Sequence, residues 1–302
     1  MKHIRDIRAV FAVLACTVLL TALLPLTVRA DTGPKPSVRI TFENLRDEVC
    51  YATLLSEESS TGPQSVWDGD EEHIRDNGLG MDIWRAFADY KDDDGFFFLQ
   101  CAWEVRTSGQ LAWTYFPPET FKILLYYPES DEFAVSGICK RYAFDSYFTV
   151  DAAQRDQETV PTTGAYRMTA VRRSYEWGHE LVSFAARVLI TIAAEMAVAL
   201  LFGIRGKRAC GFLLAVNAGT QLLLNIALNL VNYRSGELAF VFTYIWLELF
   251  VFVAEAVAYS CLLPRRTGVR RGKWYYILYA LAANAVSFGA GLAIARLLPG
   301  IF

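Results

Sequence analysis

Four amide side chains recur at every fourth position of one apolar run: Asn217, Gln221, Asn225 and Asn229. Glu248 and Glu255 follow in the next apolar run, two helical turns apart. In a helix a four-residue repeat drifts by roughly 40° per step, so the amides line one slowly turning stripe. The two carboxylates likewise share a face. Hydrocarbon does not accept such groups cheaply; an ionised side chain at mid-bilayer costs roughly 3 kcal/mol on insertion scales. The stripes must therefore face each other, water or an ion. Two chemistries fit. Amides can bond helix to helix, each bond contributing roughly 1 kcal/mol or less. Carboxylates in the same interior instead mark a polar path or site.

Glu195 in the preceding apolar run and Asn284 in the last one extend the candidate intramembrane polar site to Glu195, Asn217, Gln221, Asn225, Glu248, Glu255 and Asn284. At about 1.5 Å of rise per residue, Glu195 and Asn217 lie about 12 Å, and Glu255 about 11 Å, from the side that carries the basic loops. Glu248, Gln221 and Asn284 fall near the middle. Two carboxyl groups at one depth cannot both ionise cheaply when close, so Glu195 and Glu255 would share a proton or hold a cation. The structural alternatives are a protonated carboxyl bonded to Asn217 and an Arg187–Glu248 ion pair.

Four spans are expected to position these groups, at 180–203, 209–232, 237–263 and 274–298, each with roughly the 20 apolar-rich residues that a bilayer requires. Arg205, Lys207 and Arg208 lie between the first pair; Arg265, Arg266, Arg270, Arg271 and Lys273 lie between the last pair. The positive-inside rule puts both basic loops in the cytoplasm of a multi-pass cell-membrane protein. Residues 1–30 read as a secretory signal peptide, with Lys2, Arg5 and Arg8 before the run Ala9 to Val28 and Val28-Arg29-Ala30 as the cleavage site; an uncleaved anchor is the alternative.

Residues 31–150 then form an extracytoplasmic, all-β, sandwich-like domain of about seven strands and one short helix. Val38, Ile40 and Phe42 alternate with Arg39, Thr41 and Glu43, the period of a half-buried strand. Further strands are expected at 49–56, 96–106, 110–116, 121–127, 133–138 and 141–150, and a helix at 81–91. Residues 151–178 read as a polar, flexible linker ending in the interfacial anchors Tyr175 and Trp177. An all-α four-helix transmembrane domain, 179–302, completes the chain.

Hydrophobic residues make up 54% of the chain, but the average hides an asymmetry: 31–178 holds 26 acidic and 14 basic residues, 179–302 only 5 and 11. Nothing resembles a basic, aromatic-interleaved nucleic-acid surface. Cys50, Cys101 and Cys139 allow one disulfide and leave one thiol over. Asp68-x-Asp70-x-Glu72 begins like a calcium loop, but His73 stands where glycine is needed and no glutamate closes it. That stretch and Asp92-Asp93-Asp94-Gly95 are expected to be solvated turns. His3, His73 and His179 are the only histidines and lie outside the spans, as does every aspartate. That removes HExxH, glutamate–histidine, aspartyl and rhomboid-like intramembrane proteases. No catalytic residue, cofactor or metal site is expected.

The helical half resembles a group of bacterial multi-pass membrane proteins without an established activity. Glu195, the element Asn217-Ala218-Gly219-Thr220-Gln221, the pair Glu248 and Glu255, and Asn284 before Ser287-Phe288-Gly289 carry the resemblance over roughly 180–290. It implies an exported β domain ahead of Glu- and Asn-bearing spans, and no mechanism. The reading is a non-enzymatic binding or sensing β domain coupled to a polar-cored bundle. The alternatives are a proton- or cation-linked transporter or channel subunit using Glu195, Glu248 and Glu255, and, last, an intramembrane hydrolase. Expected partners are the lipid bilayer, an extracytoplasmic protein or cell-envelope ligand, and further copies of the chain in a homo-oligomer; nucleic acid is excluded.

Overall fold

The structure, a computed structural model, describes residues 34–159, 164–175, 177–267 and 271–297. The expected signal peptide lies outside them. Two compact units emerge, a β-rich one, Pro34–Tyr175, and a helical one, Glu176–Phe302.

In the β unit, β1 (Ser37–Glu43) pairs in parallel with β11 (Asp145–Asp151) and antiparallel with β7 (Gln110–Trp113); β14 (Val171–Arg173) flanks β11. A larger sheet runs β12 (Arg155–Thr159), β13 (Tyr166–Met168), β9 (Glu132–Ser136), β8 (Thr120–Tyr127), β2 (Tyr51–Ser56), β5 (Phe97–Phe98). On it, β6 (Trp103–Glu104) adds to β2 and β10 (Cys139–Lys140) to β8; β3 (Ser60–Thr61) and β4 (Gln64–Ser65) form a separate hairpin. Val38, Ile40, Leu111, Trp113, Phe148 and Val150 of the small sheet share one core with Ala52, Leu54, Phe121, Ile123 and Leu125 of the large one. The other face of the large sheet is covered by α1 (Met81–Asp89), whose Trp84 and Phe87 pack on Leu55, Phe98, Leu124 and Tyr126. With both faces covered, β8 is buried almost throughout, and its sequence shows no alternation: Ile123 to Tyr127 run on without a charged residue, after the buried Lys122.

Several expectations need correction. The strand expected at 96–106 splits into β5 and β6, because buried Gln100 takes a left-handed conformation (φ 56°) and spends its amide on the backbone of Arg75 and Ser65. The segment 151–178 is not a linker throughout: it supplies β12, β13 and β14 to both sheets. Charged residues hid β12 and β14, which lie at sheet edges, and β13, between β12 and β9, is only three residues long. Tyr175 lies ring to ring with Tyr142 and Tyr147 of the β unit. Cys50, Cys101 and Cys139 are all free thiols.

The acidic stretches differ from each other. Asp68 accepts the Asp70 amide and pairs with His73 Nδ1 at 2.7 Å, and Asp70 caps a 3-10 turn, Glu71–His73, so that loop is exposed and satisfied by its own groups. Asp92, expected to be solvated, is instead almost fully enclosed. Both its carboxylate oxygens accept from buried Lys122 Nζ (2.9 and 2.8 Å), which also reaches Asp94 at 2.5 Å. The ammonium occupies the place a metal cation would need.

The helical unit consists of α2 (Trp177–Leu201), α3 (Lys207–Leu262) and α4 (Lys273–Leu297). Gly203 (φ 67°) ends α2 in a Schellman motif, with its N–H on Leu200 O and that of Ile204 on Ala199 O. The middle expected spans are one assigned element of 56 residues, and the loop expected at 232–237 reduces to Gly236 (φ 79°, ψ −179°), a conformation that a side chain resists. There the chain doubles back: Leu224, Leu228 and Val231 before it pack on Ala239, Leu247 and Val251 after it. Two helical segments, Leu181–Leu201 and Lys207–Arg265, are long and apolar enough to cross a membrane. The unit's exterior carries Leu189, Leu222, Ile226, Phe242, Ile245 and Trp246, while its buried set includes Glu195, Asn217, Gln221, Asn225 and Glu255. This inverts a water-soluble protein and matches contact with lipid.

Burial pushes the Cys50 and Cys101 thiols up to about 12, so both should resist iodoacetamide at pH 8 until the protein is unfolded, read by mass spectrometry. Lys122→Ala strands Asp92 in the interior and should lower stability by about 3–5 kcal/mol in thermal unfolding. Lys122 also holds the exposed Asp94 carboxyl below its ordinary 3.8. Asp94's contribution is therefore present above that value and lost as pH falls through the lower, folded-state one. Gly236→Ala should cost about 1–3 kcal/mol by the same measurement in detergent.

Candidate functional site

Glu255 is fully enclosed and stands on the returning arm of α3. Its Oε1 accepts from Thr220 Oγ1 at 2.7 Å and its Oε2 from Asn284 Nδ2 at 2.7 Å. Thr220 belongs to the outgoing arm of α3 and Asn284 to α4, so one carboxyl ties three helical stretches together. The second hydrogen of Asn284 Nδ2 goes to Ala280 O at 3.0 Å. One turn beyond Glu255, Tyr259 donates to Asn217 Oδ1.

Glu195, equally enclosed, comes from α2. Its Oε1 accepts from Ser287 Oγ of α4 at 3.4 Å, and Tyr279 OH donates to its backbone carbonyl at 3.4 Å. Asn217 borders it, and Glu255 lies within its electrostatic reach. Glu195 Oε2, Asn217 Nδ2 and Asn284 Oδ1 are buried and make no bond of good geometry.

Each carboxyl is served by a hydroxyl with somewhere else to turn. A hydroxyl has one proton. Thr220 Oγ1 lies 3.1 Å from the carbonyls of both Val216 and Asn217, besides Glu255. When Glu255 is ionised, Thr220 donates to it. When Glu255 is protonated, its O–H can donate to Thr220, whose own proton turns to a carbonyl. Ser287 repeats the arrangement for Glu195, with Asn284 O at 3.1 Å as the second acceptor. The hydrogen-bond count therefore survives a change of protonation at either carboxyl.

Of the residues expected to form a site, Glu195, Asn217, Glu255 and Asn284 come together. Gln221 and Asn225 form a pair of their own, Asn225 Nδ2 donating to Gln221 O (2.9 Å) and Oε1 (3.4 Å). Glu248 is only half-buried and lies within hydrogen-bond reach of Tyr244. Arg187, weighed as its ion-pair partner, donates to Asn229 Oδ1 at 3.2 Å. Thr220, Ser287, Tyr259 and Tyr279 were missed as site residues. Helical spacing could have found three of them: Thr220 and Ser287 stand three positions after Asn217 and Asn284, and Tyr259 four after Glu255.

In the β unit a small cavity of about 110 Å³ lies beside the buried ion pair, lined by Tyr90, Asp93, Asp94, Lys122, Ser136 and Arg167 among others. Among the described residues no group of three or more His, Cys, Asp or Glu could hold a metal.

No protein-family model, curated protein or solved structure matches the chain.

Thr220→Val removes one donor from an enclosed carboxyl. It should cost about 1–3 kcal/mol in detergent unfolding, whereas Thr220→Ser, which keeps the hydroxyl, should cost less.

Proposed function

We propose that the protein is a non-enzymatic, four-span membrane protein whose bundle takes up and releases a proton at the Glu195–Glu255 pair. The observation that carries this reading is the pair of hydroxyls, Thr220 and Ser287, each placed between a buried carboxyl and a backbone carbonyl. A purely structural carboxyl needs one fixed set of donors; this one is provided for in both protonation states.

The break at Gly236 supports counting α3 as two spans. At about 1.5 Å per residue, 207–235 and 237–262 each reach about 40 Å, more than the hydrocarbon core. Both basic loops then lie at one end, opposite Gly236, and the positive-inside rule assigns that end to the cytoplasm. Trp177 stacks on Tyr233 at 6.0 Å, which places the start of α2 at the Gly236 end. The β unit precedes α2 and is thereby extracytoplasmic in this reading.

The pocket beside Lys122 favours a companion role for the β unit, the binding of an extracytoplasmic ligand whose presence biases the bundle. Its mixed lining of carboxylates, ammonium and guanidinium suits a small zwitterionic or polar group.

The test is proton uptake by the detergent-solubilised full chain after a pH jump, read with an indicator dye. The wild type should take up about one proton more than Glu255→Gln, with added sodium or potassium changing neither. Equal uptake in wild type and variant would show that the carboxyl pair exchanges no proton.

A further inference from the structure

The polar groups of the helical unit are not distributed evenly along it. From Gly236 inward there is a succession of them. Asn229 is bonded to Arg187 at 3.2 Å, Glu248 is in reach of Tyr244, and Asn225 is bonded to Gln221, one residue from Thr220. Arg187, Asn229 and Glu248 are half-buried, so this end of the ladder is open in part. Beyond the carboxyl pair, toward the basic loops, the described residues change character. Tyr259, Tyr276 and Tyr279 are at most 1% exposed and pack with Leu213, Leu263 and Ala209, all at 0%. Of these rings, Tyr259 and Tyr279 spend their hydroxyls on Asn217 and on the Glu195 carbonyl. One end of the bundle is a polar ladder and the other an aromatic plug.

We propose that the Glu195–Glu255 pair exchanges its proton with the Gly236 end of the bundle alone, along the Asn229–Asn225–Gln221 face, and is sealed from the basic-loop end by the Tyr259–Tyr276–Tyr279 plug. This rests on the proton-exchange reading above and assigns its direction. The groups facing Glu255 define what must move. Glu195 comes from α2, Asn217 and Thr220 from the outgoing arm of α3, Glu248 and Tyr259 from its own arm, and Tyr279 and Asn284 from α4, with Ser287 bonded to Glu195; Arg187 stands farther out on α2. Amide side chains carry no proton themselves, but they hold water in file, which conducts one. The tyrosine rings, packed with Leu213, Leu263 and Ala209 and at most 1% exposed, leave no room for such a file. A site open to one end responds to the acidity of that compartment and, with the plug closed, does not leak.

The experiment uses the full-length protein inserted with one orientation in liposomes. The probe is the infrared carbonyl band of the protonated carboxyls, specifically the component that Glu255→Gln removes. The pH is stepped on one face while the other is buffered. The band should follow a step at the Gly236 face at least tenfold faster than a step at the basic-loop face. Asn225→Leu combined with Gln221→Leu should slow that response about tenfold and leave its final amplitude unchanged. A band that follows the basic-loop face as fast, or faster, overturns the direction and leaves proton exchange standing. A band that follows neither face overturns both.

Discussion

A buried carboxyl needs hydrogen-bond donors, and in this protein the donors of Glu255 come from other helical stretches. Thr220 and Asn284 each bring one, at 2.7 Å. In hydrocarbon no solvent can replace them, so the arms of α3 and the helix α4 are held in register by a single side chain. Glu195 closes the set from α2 through Ser287. The arrangement constrains the backbone as well. The two arms of α3 can meet at Thr220 and Glu255 only if the chain reverses near residue 237, and Gly236 supplies the one conformation that allows this without a loop. The Schellman motif at Gly203 ends α2 shortly before α3 begins.

The β unit solves the same problem by other means. Its deeply buried cation Lys122 is neutralised by Asp92 and Asp94 within a loop that also caps its own backbone. Water is near enough there to leave Asp94 exposed, and the pocket beside it remains polar. In both units burial of charge is compensated locally, by carboxylates around an ammonium in one and by neutral donors around carboxyls in the other. The difference matches their surroundings. An ion pair can persist at a wet surface, whereas neutral partners let a carboxyl in an apolar bundle lose its charge.

Much of the helical site was legible because lipid makes polar residues conspicuous. Asn217, Glu195, Glu255 and Asn284 stood out against apolar runs, and the depth argument brought the first three to one level and Asn284 to the layer beside it. Thr220, Ser287 and the tyrosines were not legible as site residues, since hydroxyls occur freely in membrane helices and only the partner decides their role. Glu248 shows the limit of periodicity. It shares a face with Glu255, but two turns away its hydrogen-bond partner is Tyr244, and it reaches Glu195 and Glu255 only through charge. In the β unit the strongly alternating β1 and the helix around Trp84 were readable. The strands β12 to β14 were not: β12 and β14 are edge strands rich in Arg, Asp and Gln that resemble a linker, and β13 is only three residues long. Asp92 was read as solvated because its cation lies thirty residues away in sequence.

The hydrogen bond by which Thr220 holds Glu255 across the two arms of α3 is the contact on which the carboxyl cluster depends. A double-mutant cycle tests this most directly, with Thr220→Val, Glu255→Gln and the pair compared by equilibrium unfolding of the full chain in detergent. Residues in one hydrogen bond should be non-additive by about 0.5–3 kcal/mol, the double variant losing less than the sum of the single losses. Losses that add to within about 0.5 kcal/mol would mean the two side chains do not meet, and the carboxyl cluster would lose its foundation.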